Sequence, residues 1–370
     1  MLIQLAIMGV LVALLPLTIV WVSRDSNKYR KLVWVTAFLT FDLIMFGAFT
    51  RLTDSGLGCP DWPGCYGHAN PLQAHEHISA AEAAMPTGPV TVMKAWIEMV
   101  HRYLAMGVGV LIVAMTVIAW RMWLKSNRRS GAFAPWMPTF LLGFVCLQGA
   151  FGAWTVTLKL QPVIVTIHLL FGMMLLALLT SQGARLSNSM PAVQSSSSLR
   201  TAAAFAIALL FVQIALGGWV STNYATLACT DFPLCHGEIM PAMDFTNGFT
   251  LWRDLGKTAG GEYLPFSALT AIHWTHRMFA LAVALVMLWL IRKAYRIDGL
   301  RRIAQYLLAA VVLQFLTGIS SIFLKWPLAL AVLHNGGAAV LVLLLTMLIH
   351  QARSTPMPAS NRTVTRLSAA

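Results

Sequence analysis

The chain has 370 residues, of which 58% are hydrophobic and only 11% charged, with a mean hydropathy of +0.71. That balance excludes an ordinary soluble domain and places the chain among polytopic membrane proteins. The net charge of +13 does not indicate a nucleic-acid partner, because the Lys and Arg are distributed loop by loop and form no continuous basic face.

Apolar runs long enough to cross a hydrocarbon core of about 30 Å, roughly 20 helical residues each, occur at 2–22, 32–50, 93–120, 136–157, 162–184, 201–222, 268–291, 303–323 and 328–349. These nine segments lack the alternation of a membrane β-barrel strand, so the predicted fold class is an all-α polytopic membrane protein. No basic residue precedes the first run, which therefore reads as an extra helix and not as a cleaved signal peptide.

Arg24, Lys28, Arg30 and Lys31 follow the first span; Arg121, Lys125, Arg128 and Arg129 follow the third; Arg185 and Arg200 bracket the linker after the fifth; Arg292, Lys293, Arg296, Arg301 and Arg302 follow the seventh. The positive-inside rule makes these loops cytoplasmic, together with the tail carrying Arg353, Arg362 and Arg366, and leaves the N-terminus outside. The long loops, about 51–92 and 223–267, then face the outer side, where disulfides persist.

A unit is written twice. Cys59 and Cys65 bracket Cys-Pro-Asp-Trp-Pro-Gly-Cys ahead of His101-Arg102 and His168; Cys229 and Cys235 bracket Cys-Thr-Asp-Phe-Pro-Leu-Cys ahead of His276-Arg277 and His334. Gly47 and Gly217 each precede the first cysteine by 12 residues, and Gly67 and Gly237 each follow the second by two. Gln148 and Gln314 precede the second histidine by 20, Gly152 and Gly318 by 16, Lys159 and Lys325 by nine. The expected architecture is two tandem four-helix bundles related by a pseudo-two-fold axis near the membrane normal, preceded by the extra helix. The corresponding divisions are 1–31 (N-terminal helix and loop), 32–185 (first half), 186–200 (linker, Ser-rich at Ser195 to Ser198), 201–350 (second half) and 351–370 (tail).

All four histidines fall near the outer ends of their helices, where two imidazoles from facing helices can ligate a planar haem iron. Satisfied core histidines are the plainer alternative, much weakened by repetition at matched positions. A closed zinc site would need four convergent ligands, and the histidines divide into two pairs. Gly107, Gly109, Gly336 and Gly337 would admit a flat ligand or a close helix.

Glu98 lies three residues before His101; its counterpart three before His276 is His273. The first site thus carries a carboxyl suited to general acid–base work, or to a supporting hydrogen bond, where the second carries an imidazole. Arg102 and Arg277 are candidates for holding haem propionates, with snorkelling as the alternative. The cysteine pairs read as disulfides that rigidify the outer loops or as redox-active thiols. Cys146 reads as a packing residue. His68, His75 and His77, near Glu76, suggest a surface metal site or simply solvated loop histidines; His236 and His350 carry no argument.

The run Gly47-Ala-Phe-Thr-Arg-Leu-Thr-Asp-Ser-Gly-Leu-Gly-Cys-Pro-Asp-Trp-Pro-Gly-Cys-Tyr-Gly67, with Glu98-Met-Val-His101-Arg102, the second His-Arg and His334, closely resembles the haem A synthase family of proteobacterial and mitochondrial type across about 32–350. The resemblance implies an inner (cytoplasmic) membrane oxidoreductase that converts haem O to haem A by oxidising a porphyrin methyl to a formyl. It implies that Glu98, His101 and His168 handle substrate haem O, and that His276 and His334 are the axial ligands of a haem b cofactor. The lipid bilayer, haem O synthase, oxidase assembly factors and a second copy of the chain are the further expected partners. The extra first span and His273 depart from the simple family pattern; alignment with His101 favours His276 over His273 as the axial ligand. From the residues alone, a quinone-linked dithiol oxidoreductase and a non-enzymatic haem carrier remain as other readings.

Overall fold

The computed structural model describes residues 1–127, 134–187 and 197–352. Arg128, Arg129, most of the Ser-rich linker, and the tail with Arg353, Arg362 and Arg366 lie outside the described residues. The chain forms α1 (Leu2–Val22), α2 (Lys28–Leu52), α3 (His75–Ala84), α4 (Val92–Lys125), α5 (Trp136–Thr157), α6 (Pro162–Leu186), α7 (Ser197–Thr222), α8 (Phe245–Gly248), α9 (Phe266–Tyr295), α10 (Arg301–Phe323) and α11 (Leu328–Gln351). Nine of these, all but α3 and α8, are long and apolar enough to cross a membrane, and they coincide with the nine expected spans. Among the described residues, extended pairing is limited to isolated bridges.

Local chemistry fixes the helix ends. Asn27 and Thr91 cap α2 and α4 by accepting the N–H of Arg30 and Lys94, which satisfies donors that the first turn leaves free. Pro162 opens α6, and Pro265 and Pro327 immediately precede α9 and α11, positions where the missing N–H costs nothing. At the ends of α5 and α10 the chain reverses through two left-handed residues each, Lys159-Leu160 and Lys325-Trp326.

The long helices touch in two cycles, α2–α4–α5–α6 and α7–α9–α10–α11, each closing on its first member. The cycles meet through α6 against α7 and α11, and through α2 against α11. In lipid, helices gain little from burying apolar surface against one another, so small residues that permit close packing matter. Gly218 admits Leu169 and Thr166, Gly183 admits Trp34, and Gly336 admits Met45. The first helix lies along α4, where Gly9 faces Met106 and Gly107 faces Val12.

At the ends that carry the disulfide loops, the halves are clasped across 173 residues of sequence. Arg51 donates to the Ser221 carbonyl (2.7 Å) and to Asp54 (3.0 Å), and its guanidinium lies 4.4 Å from the Tyr224 ring, whose hydroxyl donates to Asp54 (2.8 Å). Cys146 departs from expectation: it is exposed, because its position on α5 faces away from the neighbours of that helix.

Candidate functional site

Each disulfide loop is built the same way. Cys59–Cys65 and Cys229–Cys235 are bonded, and the four residues are buried. Asp61 accepts the N–H groups of Tyr66 (2.6 Å) and Gly67 (2.8 Å); Asp231 accepts those of His236 (2.8 Å) and Gly237 (2.9 Å). The glycines take positive φ, +74° and +76°, a conformation that costs a residue without a Cβ nothing. These hydrogen bonds, that from Gly237 foremost, hold the Asp231 carboxyl below its ordinary value of 3.8.

Beneath each loop stands a buried arginine. Arg102 donates to the carbonyls of Asp61 (3.0 Å), Pro63 (3.3 Å) and Gly64 (2.5 Å), and to Glu98 Oε1 (2.5 Å). Arg277 donates to the carbonyls of Asp231 (2.8 Å), Leu234 (3.1 Å) and Cys229 (2.6 Å). The two guanidinium groups, proposed from sequence as propionate contacts, are thus largely engaged in holding the loops.

The Glu98 and His273 positions carry the same structural duty. Glu98 Oε2 accepts the Cys59 N–H (2.8 Å), and His273 Nδ1 accepts that of Cys229 (3.2 Å). Arg102 and Arg277, one helical turn on, approach the other acceptor of each side chain; for His273 this is Nε2, 3.3 Å from Arg277 Nε. A carboxylate serves both donors at once, whereas a neutral imidazole accepts at one nitrogen only. Among the described residues Glu98 is the one buried carboxylate.

The four repeated histidines lie on α4 and α6, and on α9 and α11, helices that are not successive members of their cycles. Each presses against a glycine of an adjacent helix. A Cβ placed on Gly47 would lie 3.1 Å from His101 Nε2; on Gly152, 3.2 Å from His168 Cε1; on Gly217, 3.1 Å from His276 Cε1; and on Gly318, 3.0 Å from His334 Cε1. The spacings counted in the sequence therefore recorded four imidazole–glycine contacts. All four rings remain only half-buried although helices surround them, so space stays open beside the rings. Of the glycines expected to admit a ligand, Gly107 and Gly336 instead admit helix side chains, Gly337 faces Gln314, and Gly109 has nothing within 4 Å.

Polar neighbours differ between the pairs. Phe46 stacks on His101 with centroids 6.3 Å apart, and His168 Nδ1 is buried without a hydrogen-bond partner. The Gln213 amide nitrogen lies 3.0 Å from His276 Nδ1, and Thr317 Oγ1 lies 3.0 Å from His334 Nδ1. Sequence reasoning missed Gln213 and Thr317, although a polar side chain one turn from a histidine-facing glycine, or next to one, was a usable signal.

His68 and His77 stack at 6.3 Å, and Tyr66 and His77 at 5.5 Å. No group of three or more metal-capable side chains forms among the described residues, here or elsewhere.

Such residues fit a haem: neutral nitrogen donors set in pairs, open space beside them, glycine backs where a side chain would intrude, and an orphaned ring nitrogen. Fold and site together define a polytopic membrane protein with two related imidazole sites under matched disulfide loops. Residues 30–346 match the COX15-CtaA family model, described as cytochrome oxidase assembly protein. The chain is similar to heme A synthase of Shewanella oneidensis, 38% identical over 336 residues, covering 88% of this chain and 99% of that protein. It is also similar to the heme A synthases of Rhodospirillum centenum, 31% identical over 351 residues (88% and 89% of the two chains), and Caulobacter vibrioides, 28% over 353 (89% and 98%). The chain belongs to the COX15-CtaA family of cytochrome oxidase assembly proteins.

Proposed function

We propose that this protein is a haem A synthase, an oxidoreductase of the inner (cytoplasmic) membrane that oxidises a methyl group of haem O to a formyl. The observation that carries the reading is the set of four imidazole–glycine contacts in two matched pairs, on a chain whose relatives bear the name heme A synthase. The two helix cycles are the two tandem bundles, 32–185 and 201–350, related by a pseudo-two-fold axis; 1–31, the linker 186–200 and the tail 351–370 flank them. The N-terminus lies outside and the C-terminus in the cytoplasm.

In this reading His101 and His168 would hold substrate haem O, and His276 and His334 would hold haem b through their imidazole nitrogens. When bound, haem b supplies a centre for one-electron exchange. The chain's own residues do the rest. The glycine backs let the imidazoles sit close against neighbouring helices, and the disulfide loops, braced by Arg102 and Arg277, would cover the end of each site. After their loop bonds each arginine retains an N–H with which to reach a propionate. Oxidation at the methyl carbon would release protons, and Glu98, the buried carboxylate among the described residues, would take one up.

The test is extraction and mass analysis of haems from cells supplied with haem O and expressing the full chain. Formyl product is expected from the unaltered protein and lost on replacing His101 or His168. Replacing His276 or His334 is expected to remove a low-spin b-type spectrum. Protein that binds no haem at all would overturn the reading.

A further inference from the structure

We infer that Thr317 is the positioning residue that makes the second site a place of permanent residence for haem, and that its replacement by Phe151 in the first half keeps that site exchangeable. The inference rests on the proposed function for the presence of haem at both pairs.

The argument starts from the Thr317 hydroxyl, buried on α10. Oγ1 lies 3.0 Å from the Leu313 carbonyl one turn back and 3.1 Å from that of Gln314, so its single proton is donated to the backbone. Its lone pairs then face His334 Nδ1 at 3.0 Å, where only an N–H makes a bond. The chain Nδ1–H to Oγ1–H to carbonyl fixes one tautomer, with the lone pair at Nε2, where the Gln314 amide nitrogen lies at 3.3 Å and iron would take its place. A hydrogen bond accepted from Nδ1–H also makes the imidazole a stronger donor and holds its plane.

The repeat supplies the comparison. Gln148 and Gln314 stand at equal distance before their histidines, and so do Gly152 and Gly318, but the residue next to the glycine is Phe151 in one half and Thr317 in the other. The two glutamines also differ, since the Gln148 amide donates to the His168 carbonyl (3.1 Å) while that of Gln314 lies 3.3 Å from His334 Nε2, but at Nδ1 the hydroxyl is what differs. Phe151 packs against Trp154 and Phe171, with centroids 5.0 Å away in each case, and His168 Nδ1 lies buried without a partner. The first histidine of each pair also differs in its neighbours. Gln213 on α7 places its amide 3.0 Å from His276 Nδ1 and donates to the His276 carbonyl (3.2 Å). Leu43 occupies the equivalent place, four residues before Gly47. In the second half the His334 tautomer is therefore fixed by Thr317, while in the first Phe46 stacks on His101 and His168 Nδ1 has no partner. A resident cofactor requires the former arrangement. A substrate that must arrive, react and leave is served by the latter.

The experiment uses the full chain in detergent or nanodiscs. Thr317→Val, which keeps the shape and removes the hydroxyl, is expected to release the low-spin haem to a haem scavenger about tenfold faster. At a fixed poise it is expected to shift the oxidised-to-reduced ratio of that haem several-fold toward reduced, because a weaker donor stabilises ferric iron less. Thr317→Ser is expected to restore both. Reciprocally, Phe151→Thr in a chain also carrying His276→Ala and His334→Ala is expected to hold added haemin about tenfold longer than the same chain with Phe151. Unchanged release and unchanged redox ratio in Thr317→Val would overturn the inference. A low-spin haem lost on His334→Ala but indifferent to Thr317→Val would overturn it alone, whereas unaltered protein lacking low-spin haem would overturn the proposed function beneath it.

Discussion

Adding a single methyl group opposite His334 tests the imidazole–glycine contacts directly. In Gly318→Ala the new Cβ would stand 3.0 Å from Cε1 of the ring, against an optimum of roughly 3.5–4.0 Å between carbon atoms. The ring or the helix must therefore yield by about 0.5–1 Å, and overpacking of this kind costs about 1–3 kcal/mol. If that strain falls on the ligated state, haem is held roughly 5- to 150-fold less tightly, at 1.4 kcal/mol per factor of ten. Helix propensity acts in the opposite direction, since Ala is favoured over Gly by about 1 kcal/mol in a helix interior. The net cost to folding is thus about 0–2 kcal/mol, and loss of haem from protein that still unfolds cooperatively separates a site effect from general destabilisation. Gly109→Ala, where nothing lies within 4 Å, is the matched control and should keep its haem. The assay is haem content per chain with the reduced-minus-oxidised spectrum and the rate of haem loss, alongside thermal unfolding. Full haem content with an unaltered loss rate in Gly318→Ala would refute the claim that the glycine exists to seat the imidazole.

Three other perturbations probe the outer loops and the first site. Arg102→Ala strands Glu98 without its cation and frees three loop carbonyls, and breaking a buried pair costs about 3–5 kcal/mol; faster proteolysis near 59–67 and easier reduction of Cys59–Cys65 are expected. Glu98→His installs the second-half residue, which can still accept the Cys59 N–H, so haem binding should survive while formyl product falls by about 10²-fold or more; unchanged turnover in haem extracts would restrict Glu98 to anchoring the loop. The Asp231 carboxyl is held below 3.8 by the loop N–H groups, so its contribution to stability is present above that pH and is lost as pH falls through the lower, folded-state value. Amide exchange at His236 and Gly237 should accelerate across that acidic window, and Asp231→Asn should abolish the pH dependence.

The long helices were legible because a span is a local property, encoded in length and apolar content, and the repeat was legible because spacing survives when side chains diverge. The partners were less legible. Gly47, Gly152, Gly217 and Gly318 stood out by position, but which group each would face depends on the rotation of two helices about their axes, which no single segment encodes. Arg102 reads as an exposed interfacial cation until residues 61–64, some 40 positions earlier, fold over it. The Arg51–Asp54–Tyr224 clasp joins positions from both halves of the chain, and Cys146 was misplaced because an apolar span contains no cue to which face meets lipid.

Superposing the halves changes where their functional difference must be sought. Glu98 against His273 is the conspicuous substitution, yet both side chains accept the N–H of the first loop cysteine and both meet the arginine one turn on. What separates them is capacity: a carboxylate accepts from both donors together, while a neutral imidazole must choose, and Arg277 compensates through the Cys229 carbonyl. The loop scaffold tolerates either residue, so retention of a carboxyl in the first half answers a demand other than architecture, which proton transfer at the oxidised methyl would meet. The ring-nitrogen partners diverge in the opposite sense, with polar groups in the second half and apolar groups in the first. Under the proposed function, one duplicated frame would distribute two requirements, a proton acceptor where substrate turns over and a held ligand where the cofactor stays.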